Sequence, residues 1–115
     1  MIKNAITPLT GIRVVELSHM VMGPSTGLLM ADLGAEVIKI EPIDGDKTRN
    51  LRGSGAGYFS MYNRNKKSIS LDLKSDEGLE IAKKIISGSD VLIENFRSGT
   101  INRLGLDYEA LSITN

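Results

Sequence analysis

The run LTGIRVVELSHMVMGPSTGLLMADLGAEVIKIE, residues 9 to 41, decides the fold. After Gly11 comes Ile12 to Leu17, a β-branched stretch that reads as a buried strand. Gly23-Pro24-Ser25 then opens a helix, since Pro24 in the first turn lacks an N–H that would have no partner there. Leu29 and Leu33, four apart, are expected to give this helix its apolar face, and Gly34 fits its carboxyl-terminal stop. Ala35 to Glu41 is a second short, β-branched strand.

The alternation continues downstream. Lys67 to Leu73 (KSISLDL) reads as a third strand with Ile69, Leu71 and Leu73 on one face. Ser75 is a good N-cap, and Asp76 and Glu77 favour the first turn of a helix running to about Ile86. Its buried stripe is Leu79, Ala82 and Ile86, with Ile85 beside it. Val91 to Glu94 is the fourth strand. Short helical turns are expected near Gly99–Leu104 and Tyr108–Ser112. The pattern predicts a Rossmann-like α/β domain with a parallel sheet of four strands, order 3-2-1-4, and flanking helices. Its switch point falls between the first and fourth strands. The segment from Pro42 to about Gly57, with Arg49, Arg52 and four glycines, is expected to be a functional or mobile loop.

Composition narrows the possibilities. The chain has 115 residues, one domain's worth, and is 41% apolar with two Phe, three Tyr and no Trp, so its core is aliphatic. Fourteen basic residues balance fourteen acidic ones, so no net charge draws it to nucleic acid, and any anion site is local. The absence of Cys excludes disulfides and thiolate chemistry. No secretory-type apolar stretch opens the chain and no apolar run suits a bilayer, so a cytoplasmic protein away from membranes is the expectation.

In open α/β sheets, ligands bind beyond the carboxyl ends of the strands. Three connections bring polar or basic groups to that rim: Ser18 to Pro24, Asp72-Leu73-Lys74, and Asn95-Phe96-Arg97 followed by Arg103. Lys74 is the most informative. A cation just before a helix N-terminus opposes the helix dipole unless an anion sits between them. Arg97 and Arg103 are candidates for further phosphate contacts. A phosphorylated ligand with a long neutral arm fits this mixture of groups.

The motifs GP, LGAEVIKIE, NKKSISLDLK, ENFRSG and RLGL, in this order and spacing from Leu9 onward, resemble the amino-terminal part of class III CoA-transferases. That family includes carnitine-type CoA-transferases and 2-methylacyl-CoA racemases. The resemblance implies that residues 1–115 are the CoA-binding domain of a larger enzyme, which moves CoA from an acyl-CoA to a carboxylic acid. The family nucleophile is an aspartate that forms anhydride and thioester intermediates; it lies downstream of the matched region, so no catalytic residue is expected here. The family's post-strand loop matches His19 to Met22, including Val21, and its LDLK segment matches Leu71, Asp72, Leu73 and Lys74. Its ENF segment and later arginines match Asn95, Phe96, Arg97 and Arg103, and Arg49 matches an arginine after the GD turn. CoA is the implied ligand, with no metal, and an interlocked homodimer is the implied assembly. Formyl-CoA-transferase-like members carry Gln where Val21 stands, and some carry a phosphate-binding Arg where Pro42 stands. Alternative readings are a racemase-type fragment, a stand-alone nucleotide-binding module and a non-catalytic subunit. An open, apolar sheet edge and self-association are further expectations.

Several features also have plainer readings. His19, the only histidine, is either structural or ligand-facing. Asp72, Glu94 and Asp107 read as caps or solvated surface. GSGAG, Gly53 to Gly57, lacks the Gly-Lys-Ser/Thr ending of a phosphate loop and reads as flexible connection. NRNKK, Asn63 to Lys67, is either a basic turn or part of a phosphate rim. Met20 and Met22 sit on the proposed rim, whereas Met30 and Met61 read as core filler.

Overall fold

The computed structural model describes residues 6–115. Four strands, β1 (Arg13–Leu17), β2 (Glu36–Glu41), β3 (Lys67–Ser70) and β4 (Val91–Glu94), form one parallel sheet in the order β3-β2-β1-β4. This is the predicted topology. Helix α1 (Met22–Asp32) joins β1 to β2, and α3 (Asp76–Ser87) joins β3 to β4. The short helices α4 (Thr100–Arg103) and α5 (Tyr108–Leu111) follow β4.

Side chains alternate across a strand, so β1 divides its residues between two faces. Val15 and Leu17 join Ile40, Leu71, Ala82, Ile86 and Leu106 in a cluster under α3. Val14 joins Val37, Ala31 and Ala35 in a smaller cluster under α1. Each Val, Leu or Ile side chain hidden in this way contributes about 1.5–3 kcal/mol, and each alanine methyl less. Ser75 caps α3 by accepting a hydrogen bond from the Gly78 N–H at 3.0 Å, as its position predicts.

Helix α1 departs from expectation. Leu29 and Leu33 point outward, 62% and 38% exposed, and the buried face is Gly23, Pro24, Gly27 and Ala31. The cause is close approach to the sheet. A Cβ at Gly27 would collide with the Glu16 carboxylate, so only small residues fit there. Gly34 does end the helix, at φ +104°, and its N–H donates to the Ala31 carbonyl.

The third strand is shorter than predicted because Asp72 starts a turn: its Oδ1 accepts from the Lys74 N–H at 3.0 Å. Ile69, Leu71 and Leu73 still share the α3 face. The 42–57 segment, expected as an irregular loop, carries two short 3₁₀ turns, Lys47–Asn50 and Gly53–Gly55. Helix α2 (Tyr58–Asn63), absent from the sequence reading, follows them and packs against α1. Among the described residues, no helix is long and apolar enough to cross a membrane.

Candidate functional site

A cleft of about 760 Å³ runs across the carboxyl ends of the strands. The β1 end supplies Ser18, His19 and Met20. The β2 end supplies Ile40 to Asp44, Asp46 to Thr48 and Leu51. The β3 end supplies Leu71 to Lys74, and Phe96 reaches in from beyond β4. The sequence placed the crevice between the first and fourth strands. The structure extends it toward β2 and β3, because the 42–51 segment folds back as a wall instead of leaving the rim.

Of the twelve candidate ligand residues, His19, Leu71, Asp72, Leu73, Lys74 and Phe96 line this cleft. Val21, Met22, Arg49, Asn95, Arg97 and Arg103 do not. Met22 is 75% exposed at the start of α1. Arg103 turns back to donate to the Thr100 hydroxyl at 3.1 Å, so it shares no cleft with Lys74. Arg49 grips Glu41 with two hydrogen bonds of 2.8 Å and lies 3.9 Å above the Phe59 ring. That guanidinium, aided by Ser68 and the Asp46 N–H, holds the Glu41 carboxyl at about 2 despite its burial.

Asn95 works behind the cleft. Its side-chain oxygen accepts from the His19 N–H at 3.0 Å and its amide donates to the His19 carbonyl at 2.9 Å. The His19 ring then stacks against Phe96 with centroids 6.1 Å apart. Glu94 accepts from the Phe96 N–H, and Asp107 caps α5, as their plainer readings expected.

The cations of NRNKK are all paired, Arg64 and Lys67 at the surface and Lys66 in the interior. Arg64 pairs with Asp32, Lys67 with Glu36, and Lys66 with the buried Glu16 at 2.7 Å. Burial lowers the Lys66 ammonium, and the attraction of Glu16 offsets only part of that effect. Lys47 and Lys74 behave differently: both line the cleft, and neither pairs with a carboxylate among the described residues.

Beneath the cleft lies a buried charge network that the sequence reading missed. Lys39 is 1% exposed and reaches Glu16 at 3.2 Å, Asp46 at 3.1 Å and the Ser18 carbonyl at 2.8 Å. Asp46 also accepts from the Thr48 N–H at 2.9 Å and its hydroxyl at 2.7 Å. Burial would raise the Asp46 carboxyl, but Thr48 and Lys39 outweigh it and hold it below its usual range. The available signal was the spacing of Glu16, Lys39 and Glu41 within otherwise apolar strands. Charges at core-facing strand positions require partners. Among the described residues, no group of three or more His, Asp or Glu is arranged to hold a metal.

Parallel strands in this order, with a crevice across their carboxyl ends, define a Rossmann-like α/β domain. Residues 9–115 match CoA-transferase family III, and the chain belongs to that family. A succinate–glutarate CoA-transferase of Agrobacterium fabrum is 41% identical over 97% of this chain and 31% of its own length. A formyl-CoA:oxalate CoA-transferase of Streptomyces coelicolor is 42% identical over 93% of this chain and 27% of its own. The crystal structure of a CaiB/BaiF family protein from Brucella suis superposes with a TM-score of 0.88 at 42% identity, covering 96% of this chain and 32% of that one. The chain thus spans about a third or less of the length of these relatives.

Proposed function

We propose that this chain holds the coenzyme A part of an acyl-CoA within an enzyme that transfers CoA between carboxylic acids through an aspartyl intermediate. In this reading the nucleophile comes from outside these 115 residues, and what they supply is binding and orientation. The observation that carries it is a cleft combining apolar side chains with two ammonium groups, Lys47 and Lys74, on the connections after β2 and β3, neither of which forms an ion pair among the described residues. Phosphates suit the lysines and the amino-terminal end of α3, and the neutral arm suits Leu71, Leu73 and Phe96. The CoA-transferase names of the relatives support the same ligand. The reading includes a cytoplasmic homodimer that uses no metal.

Calorimetry of the chain with CoA and dephospho-CoA tests this. Lys74→Ala is expected to weaken CoA binding about tenfold, as fits loss of one charge-assisted contact. Arg103→Ala is expected to change it less, because Arg103 stands outside the cleft. Parent-like CoA affinity in Lys74→Ala would remove that residue from the site. No measurable CoA binding by the parent would end the proposal.

A further inference from the structure

Met20 has φ +65°, in the left-handed region that residues with a Cβ avoid. It lies on the cleft wall directly after His19. Something outside the local sequence must hold it, and the buried network ends at this point. Lys39 Nζ lies 3.1 Å from Asp46 Oδ2, and the Thr48 hydroxyl lies 2.7 Å from Asp46 Oδ1. A hydroxyl has one proton. Facing a carboxylate that accepts only, Thr48 donates that proton to Asp46. Its oxygen is thereby left to accept, and the Met20 N–H reaches it at 2.9 Å. The order of charge and dipole from Lys39 through Asp46 and Thr48 to Met20 is therefore fixed.

We infer that Thr48 is a positioning residue: locked by the Lys39–Asp46 pair, its hydroxyl holds Met20 in the left-handed conformation and so sets the His19 wall of the cleft. Asn95 clasps the backbone of His19 from the β4 side, and Thr48 holds Met20 from the β2 side. Thr48 is 1% exposed, and the sequence alone gives it no role. Its effect on ligand affinity rests on the CoA reading, but its effect on Met20 does not.

The test is amide hydrogen exchange on the chain carrying Thr48→Val, which keeps the shape and removes the hydroxyl, and Thr48→Ser, which keeps the hydroxyl. Thr48→Val is expected to speed exchange at Met20 about tenfold while Val15 and Ala82 keep parent rates, and Thr48→Ser is expected to restore Met20. If Thr48→Val does not fold, Asp46→Asn serves, because it weakens the lock without removing atoms; the same local acceleration at Met20 is expected. Unchanged exchange at Met20 overturns the inference, since Asn95 would then suffice. So does failure of serine to restore it. In the CoA titration, Thr48→Val is expected to bind more weakly than parent and Thr48→Ser like parent. Equal CoA affinity alongside a released Met20 amide overturns the link to the cleft. Absence of CoA binding in the parent tells against the functional proposal, while the exchange result still decides the role of Thr48.

Discussion

Glu16 and Leu17 are neighbours on β1, and both are hidden from water, at 0% and 1% exposure. They lie on opposite faces of the sheet and are accommodated by different physics. The α3 face is hydrocarbon: Leu17 shares one apolar cluster with Ile40, Leu71 and Ile86, and its stability scales with the area removed from water. The α1 face is hydrocarbon only at its amino-terminal end, around Val14 and Val37. Toward the cleft it becomes ionic, with Glu16, Lys39 and Glu41 satisfied by Lys66, Asp46 and Arg49. The ionic half lies next to the cleft and the apolar half away from it. An apolar contact tolerates repacking, whereas a buried charge demands a specific partner geometry. The face that must hold the cleft wall in register is built from the less forgiving interaction.

The largest effect is expected on the ionic face. Lys39→Ala leaves Asp46 buried without its cation, and urea unfolding is expected to show a loss of about 3–5 kcal/mol. A loss under about 1 kcal/mol would mean that water reaches Asp46, and the contrast between the faces would collapse. Next comes the hydrocarbon face, where Leu17→Ala is expected to cost about 3 kcal/mol by the same measurement. Adding salt is expected to leave both losses nearly unchanged, since buried pairs are poorly screened.

The smallest effect is the part of acid titration that Glu41 carries on the ionic face. The Glu41 carboxyl is held near 2 in the folded chain against an ordinary value of 4.5. The unfolded state therefore binds protons first as pH falls. Stability from this group is complete above about 4.5 and is lost as pH drops toward 2. Unfolding at pH 3 is expected to need about 1–2 kcal/mol less than at pH 7, after allowing for solvent around Arg49. Glu41→Gln is expected to reduce that dependence, leaving the share carried by Glu36 and Asp46, whose carboxyls are also held low. An unchanged slope would show that Glu41 is not the group responsible.

The same contrast explains what the sequence reveals. The α3 face is legible because its signal is local. Leu79, Ala82 and Ile86 recur at helical spacing, Ile69 and Leu71 at strand spacing, and Ser75 announces its own helix. The ionic face is not, because Lys39 finds Glu16 23 residues away and Lys66 finds it 50 residues away. Read locally, those lysines resemble solvated surface. Leu29 and Leu33 mislead in the opposite direction. Four-residue spacing marks an apolar stripe, but only three-dimensional proximity shows that glycines own the buried side. Helix α2 escapes notice because Tyr58 to Asn63 has no side-chain cap. Among the cleft residues, Lys74 is legible from its conflict with a helix dipole. Lys47 is not, because its importance depends on a wall that folds back over the rim.

The sheet order has one more consequence, in the timing of assembly. Contacts between Arg13 and β2 span 23 residues, whereas the Arg13–Asp90 bond beside β4 spans 77. Closing the longer separation costs roughly 1 kcal/mol more chain entropy. During synthesis it must also wait until the fourth strand leaves the ribosome. The Asn95 clasp on His19 sits on that late seam, bridging 76 residues, so the histidine wall is completed only after the remainder of the sheet has somewhere to dock.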